Sequence, residues 1–227
     1  MEKVCIVTGG SSGIGEAIVA LFIKNGYHVY NLDINPGALG EFRKCDMTDH
    51  QQVIDTVKAI TKEKNVDVLV CNAGIHFSAN IENTSEQELL NVFNINVKGA
   101  FSVIQSVLPN MKQRRKGAIV LVSSDQALIG KRNSFAYNLS KSALASIAKT
   151  TALDYAEYGI RANAVCPGTI ETPLYHQAID RYCERSGADK AQIHKEEEAL
   201  QPLQRLGQPE EVAELVLFLA SDKAKFI

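Results

Sequence analysis

Tyr137 and Lys141 stand four residues apart in a run with helical periodicity, so both side chains leave the same face of one helix. An ammonium beside a phenol favours the phenolate. A phenol drawn toward working pH in this way can take a proton from a hydroxyl or return one to a carbonyl oxygen. Tyrosine and lysine meet at this spacing by chance, so the pair alone is weak evidence. Its place says more: it follows an apolar run at 118–122 and the hydroxyls of Ser123-Ser124. A hydroxyl there can donate to an oxygen that gains negative charge.

A second group of residues could hold phosphate. Thr8-Gly9-Gly10-Ser11-Ser12-Gly13-Ile14-Gly15 directly follows a strand and opens a helix. Glycine lets the backbone approach a pyrophosphate closely, and the free N–H groups of a helix start attract its charge. The G-x-x-x-G-x-G spacing differs from the commoner G-x-G-x-x-G, but the turn ends the first strand of a βαβ unit. Asp33 closes the second strand, 18 residues past Gly15. Its carboxylate can accept from the adenosine ribose hydroxyls and would repel a 2′-phosphate. No Arg or Lys stands at Ser11, Ser12 or Ile34, so the expected cofactor is NAD rather than NADP. Asp46, with Met47 beside it, ends a short third strand near the adenine edge, and Asn72-Ala73-Gly74 closes the fourth with small residues that leave room for a cofactor.

The elements that must position these groups alternate, short apolar runs with longer amphipathic ones. That pattern predicts a Rossmann-like, doubly wound parallel sheet in a three-layer α/β/α arrangement, one domain over 1–227. Strands are expected at 4–8, 28–32, 66–71, 118–122 and 161–165, with a weaker one at 42–45. Helices are expected at 14–25, 50–63, 86–112, 134–158 and 209–221. Gly26 and Gly159 stop two of them, and Ser85 with Glu88 forms a capping box. Across 173–206 the periodicity weakens and charges gather, which reads as a helical insertion serving as a substrate lid.

The bulk numbers exclude other classes. With 45% apolar and 22% charged residues and a net charge of −2, no field draws the whole chain to nucleic acid or membrane. The cluster Lys112-Gln113-Arg114-Arg115-Lys116 reads as a solvated helix end. No run is long enough to span a bilayer, and the first strand begins at once, without a signal peptide. Five scattered cysteines form no C-x-x-C, so no metal site is expected and a reducing, cytoplasmic setting is.

In this order the motifs resemble those of the short-chain dehydrogenase/reductase family: T-G-x-x-x-G-I-G at 8–15, N-A-G at 72–74 and Y-x-x-x-K at 137–141. Asn96 matches the family's catalytic asparagine, and Ser124, thirteen residues before Tyr137, its serine. Pro167-Gly168-Thr169-Ile170-Glu171-Thr172 looks like the P-G-x-x-x-T segment that holds the nicotinamide carboxamide, which brings in Pro167, Gly168, Ile170 and Thr172. The resemblance implies a hydride moved between nicotinamide and a CH–OH carbon. Tyr137 is then the acid–base and Lys141 its tuner, which also holds the nicotinamide ribose. Ser124 is the donor to the substrate oxygen, and Asn96 places a water through its carbonyl. It also implies a homodimer or homotetramer.

Two departures follow. The stretch from Asp33 to Asp46 is too short for the family's usual helix, and the sequence closes on Phe226-Ile227 where members continue into a further strand. The expectation is a sheet that lacks the last family strand and ends on an open edge. Ser123-Ser124-Asp125-Gln126-Ala127, Asn163-Ala164-Val165-Cys166-Pro167 and Gln204-Arg205-Leu206-Gly207 are similar in wording to the aldose dehydrogenases of the family. The expected substrate is therefore an aldose, with a 3-hydroxy acid as the alternative and a non-catalytic nucleotide sensor as a third reading. Ser124, Gln126, His76, Glu171 and His176 are the candidate substrate contacts.

Overall fold

Strands buried on both faces need no polar side, and that is how the apolar runs are used. The computed structural model describes residues 2–227. Its six parallel strands are β1 (Lys3–Thr8), β2 (Tyr27–Asp33), β3 (Glu41–Lys44), β4 (Val68–Cys71), β5 (Gly117–Val122) and β6 (Ile160–Val165), in the order β3-β2-β1-β4-β5-β6. Alternate side chains of β1 feed opposite layers. Val4 and Ile6 pack toward α2 (His50–Glu63), α4 (Gly99–Arg114) and α5 (Phe135–Tyr155). Cys5 and Val7 pack toward α1 (Gly13–Lys24) and α8 (Pro209–Ala220). The chain order reverses between β1 and β4, and a crevice opens at the carboxyl ends of strands at such a point.

The differences from the expected elements have local causes. The long middle helix is split into α3 (Glu86–Phe93), a π turn at Asn94–Lys98, and α4. The π turn closes i→i+5 bonds and so adds one residue to a single turn, which shifts the side-chain phase but leaves a helical pattern on either side. The stretch from Asp33 to Glu41 holds no helix, and β3 pairs with only four residues of β2. The segment 173–206 contains two helices, α6 (Pro173–Ser186) and α7 (Lys190–Leu200). Gly26 and Gly159 take φ of +79° and +66°, as helix-stopping glycines do.

The basic cluster is not wholly solvated. Arg114 donates to the Val66 carbonyl at 2.8 Å and to Asp67 Oδ1 at 2.6 Å, while Asp67 Oδ2 accepts from the Val4 N–H at 3.0 Å. Lys112 sits 4.5 Å over the Tyr158 ring. These bonds tie α4 to the amino end of β1 and to the turn before β4. Among the described residues β6 has no outer neighbour strand. Arg161 and Asn163 of that edge donate to the Ile227 carbonyl at 3.0 and 3.1 Å.

Candidate active site

The Gly-rich turn is held from β2 and β4. Fully buried Asn31 accepts from the Gly10 N–H at 3.1 Å and donates to Ser11 Oγ at 3.0 Å. Asp33 accepts from the Ser11 and Asn35 N–H groups, both at 3.1 Å. A carboxylate has about four acceptor positions, so Asp33 keeps capacity for ribose hydroxyls. Thr8 Oγ1 accepts from the Asn72 and Ala73 N–H groups at 3.1 Å, and Asn72 Nδ2 donates to the Gly9 carbonyl at 2.8 Å. Gly9, at φ +67°, lies against the Ala73 backbone, where an added Cβ would stand 2.8 Å from its Cα.

These residues form one wall of a cleft of about 340 Å³. Gly9, Ser12, Gly13, Ile14, Asp33, Asp46, Met47, Asn72, Ala73, Gly74 and Thr172 line it, and so do Tyr137 and Lys141. Their shape fits a dinucleotide, because a Cβ on Gly13, whose φ is +55°, would meet Thr172 at 3.2 Å and narrow the passage between α1 and α6. Ser11 and Gly15 stand behind that wall. The first is spent on Asp33 and Asn35, and the second is packed under Gly9 and Asn72. Asp46 uses Oδ1 on Thr48 at 2.8 Å, so it shapes the turn as well as the cleft.

At the other end, Lys141 is buried, donates from Nζ to the Val122 carbonyl at 2.9 Å and lies 5.5 Å from the Tyr137 ring centroid. Burial pulls the Lys141 ammonium down to about 8. Burial also pushes the Tyr137 phenol up to about 12, opposed by a hydrogen bond from Ser124 and reinforced by the Asp125 charge. The group that opposes desolvation of the phenolate here is Ser124 and not, as expected, Lys141. The structure also separates the two serines. Ser123 Oγ donates to the Lys141 carbonyl at 2.7 Å, deep in the core, whereas Ser124 lies beside Tyr137 and bonds Asp125 Oδ1 at 2.8 Å.

Asn96 sits within the π turn. Its Oδ1 accepts from the Ile75 N–H at 2.8 Å, and its Nδ2 donates to the Ile75 carbonyl and Ser140 Oγ, both at 3.0 Å. It thus fastens the segment after Gly74 to α5, the helix that carries Tyr137.

The expected substrate residues divide. The His76 ring meets the Tyr137 ring edge-on at 4.8 Å. Gln126 accepts from Ser134 Oγ at 2.6 Å. Burial first, then the charges of Lys131 and Arg181, lower His76 to about 4 and keep it neutral. Glu171 and His176 instead pair with each other at 3.6 Å, and His176 stacks on His194 of α7. Glu171 also accepts from Gln208 at 3.1 Å. Pro167, Gly168 and Ile170 do not line the cleft: the Pro167 carbonyl accepts from the Asp125 N–H at 2.8 Å, Gly168 abuts Gln201, and Ile170 bridges to Gly207. Asn31 and Lys44 were missed by the sequence reading. A polar residue inside the run Tyr27–Asp33 was the available signal for the first, and Lys44 stands beside Asp33 only through the β2–β3 register.

A fold and site of this kind define a nicotinamide-linked oxidoreductase acting on alcohol or keto groups. A family model described as enoyl-(acyl carrier protein) reductase matches residues 9–227. The chain is 37% identical over 241 residues to the 3-oxoacyl-[acyl-carrier-protein] reductase FabG of Thermotoga maritima, covering 99% of this chain and 93% of that protein. Among solved structures, a short chain dehydrogenase family protein from Francisella tularensis superposes with a TM-score of 0.93 at 39% identity, covering 100% of this chain and 94% of the other. The ligand-free aldohexose dehydrogenase of Thermoplasma acidophilum gives 0.93 at 40% identity, covering 100% and 89%. The chain belongs to the short-chain dehydrogenase/reductase family.

Proposed function

We propose that this enzyme oxidises a hydroxyl-bearing carbon of a polyhydroxylated substrate, an aldose foremost, and uses NAD. The observation that carries the reading is that Tyr137 and Lys141 line the same cleft as Asp33 and the Gly-rich turn. When bound, the nicotinamide supplies the hydride acceptor. Tyr137 takes the substrate hydroxyl proton as the C–H electron pair departs, so the alcohol becomes a carbonyl. Ser124 donates to the substrate oxygen, and Lys141 favours the phenolate. Asn96 keeps its helix and the segment after Gly74 in register around them.

Asp33 supports NAD, since its carboxylate would repel a 2′-phosphate. Neutral His76 beside Tyr137, with Gln126 nearby, supports a hydroxyl-rich substrate. The likeness to an aldohexose dehydrogenase points the same way. The segment 173–206, as α6 and α7, serves as the substrate lid. A homo-oligomeric enzyme of a reducing, cytoplasmic setting fits the exposed apolar helix faces and the five free cysteines. Among the described residues no helix is long and apolar enough to cross a membrane.

The test is NADH formation with NAD against NADP over aldoses, polyols, hydroxy acids and simple secondary alcohols. Tyr137→Phe should lose activity by roughly 10²–10⁴-fold while NADH still binds. Retained turnover in that variant sinks the assignment. NADP preference with turnover of 3-oxoacyl thioesters would replace the substrate reading with that of the Thermotoga relative.

A further inference from the structure

We propose that Arg181 is the anion-binding residue of the substrate pocket, so that the substrate carries a carboxylate beside its reacting hydroxyl. The inference keeps the reaction proposed above, rests on Tyr137 marking the reacting end of the cleft, and puts the acid alternative in place of the neutral aldose.

The placement follows from α6. Leu174 and Gln177 of this helix line the cleft, while Tyr175, Ile179 and Cys183 pack the opposite way against Leu206 and Ile193. At about 100° per residue, Arg181 leaves the helix about 20° from the direction of Leu174 and about 40° from that of Gln177. Arg181 is exposed and stands one turn beyond the lining residues, on their side of the helix.

Of the two surface cations felt at His76, Lys131 and Arg181, only Arg181 is engaged by no carboxylate. Its neighbour Asp180 is taken by Lys190 at 2.5 Å, and Lys131 is held by Glu197 at 3.1 Å. None of the ion pairs among the described residues includes Arg181. Its charge nevertheless reaches the reacting centre, because it is felt at His76, whose ring touches Tyr137.

The chemistry then selects the ligand. Neutral His76 and the Gln126 amide suffice for hydroxyl groups. A guanidinium fork matches a carboxylate with two parallel hydrogen bonds and has no comparable match in a neutral sugar. The substrate class is a hydroxy acid, such as an aldonate or a 3-hydroxy acid. Its C–H pair leaves as hydride to NAD, its hydroxyl proton goes to Tyr137, and the carboxylate is unchanged.

The experiment compares kcat/KM for matched acid and alcohol pairs, gluconate with glucitol and 3-hydroxybutyrate with butan-2-ol, in the unmodified enzyme, Arg181→Gln and Arg181→Lys. The acid-to-alcohol ratio should fall at least tenfold in Arg181→Gln, chiefly through KM for the acid, and recover in part in Arg181→Lys. A ratio that does not move, or turnover of the alcohols with no acid accepted, overturns the inference and leaves the dehydrogenase reading standing. Silence on every substrate overturns that reading instead. The inference is then judged by titrating acetoacetate into the NADH complex and following NADH fluorescence. Binding at least tenfold weaker in Arg181→Gln upholds it, and equal or absent binding overturns it.

Discussion

At the scale of single residues, the site is a contest between burial and hydrogen bonding. Tyr137 is pushed up to about 12 chiefly by desolvation, and Ser124 opposes that shift. Ser124→Ala removes the donor that stabilises the phenolate and the developing oxyanion alike. Its oxidative kcat should drop by roughly 10²–10³-fold, and the pH profile of kcat/KM should move to higher pH. A drop without that displacement would assign Ser124 to binding alone. His76 gives a second prediction. Its folded value of about 4 lies below the 6.5 of an unperturbed histidine. Between those values the unfolded chain holds more protons, so stability falls as pH falls. At pH 5 the loss from this group is about 2 kcal/mol, taking ~1.36 kcal/mol per pH unit. His76→Gln should lack that loss, which urea unfolding at pH 7 and pH 5 would reveal as a smaller gap between the two stabilities. Identical gaps in both proteins would place the titration elsewhere.

At the scale of elements, the site depends on how closely α1 starts beneath β1. A Cβ on Gly15 would fall on the Gly9 carbonyl oxygen and lie 2.5 Å from Asn72 Nδ2, the two groups whose bond closes the turn. Gly15→Ala should therefore cost about 1–3 kcal/mol as overpacking does. It should also weaken NADH binding by roughly tenfold, the equivalent of ~1.4 kcal/mol. Denaturant midpoints and NADH fluorescence titration would check both.

This scale also shows what could be read from the sequence. The strands were legible because two-sided burial makes them continuous apolar runs, as in Val4–Val7 and Val68–Cys71. The Gly-rich turn, Asp33, Asn72 and the Tyr137–Lys141 pair were legible because each sits at a strand end or on one helix face. The π turn around Asn96 was hidden, since its side chains keep a helical rhythm on either side. Ser124 was chosen over Ser123 by its spacing from Tyr137, but the bond from Ser123 to the Lys141 carbonyl is one that no spacing encodes. Arg181 and Lys44 were invisible for a related reason. Arg181 gains meaning only from the orientation of α6, and Lys44 only from the strand register.

At the scale of the whole molecule, large apolar side chains remain uncovered on one set of helices. Leu90 and Phe93 of α3, Phe101 of α4, and Leu139 and Leu153 of α5 are all exposed, Leu153 by 81%. Scattered exposure is ordinary, but these three helices are neighbours in one layer, α3 and α4 each touching α5. The homo-oligomer proposed above would use such a face about a two-fold axis, with α4 and α5 against their copies. The edge of β6 is the competing contact, because its unpaired backbone groups could recruit another chain. The two geometries separate by mutation. Phe101→Glu combined with Leu153→Glu should lower the mass found by light scattering while leaving the helical circular dichroism in place, because both side chains point to solvent in the single chain. If the mass instead holds and falls only on Ala164→Lys in β6, the sheet edge is the contact and the helical face is free.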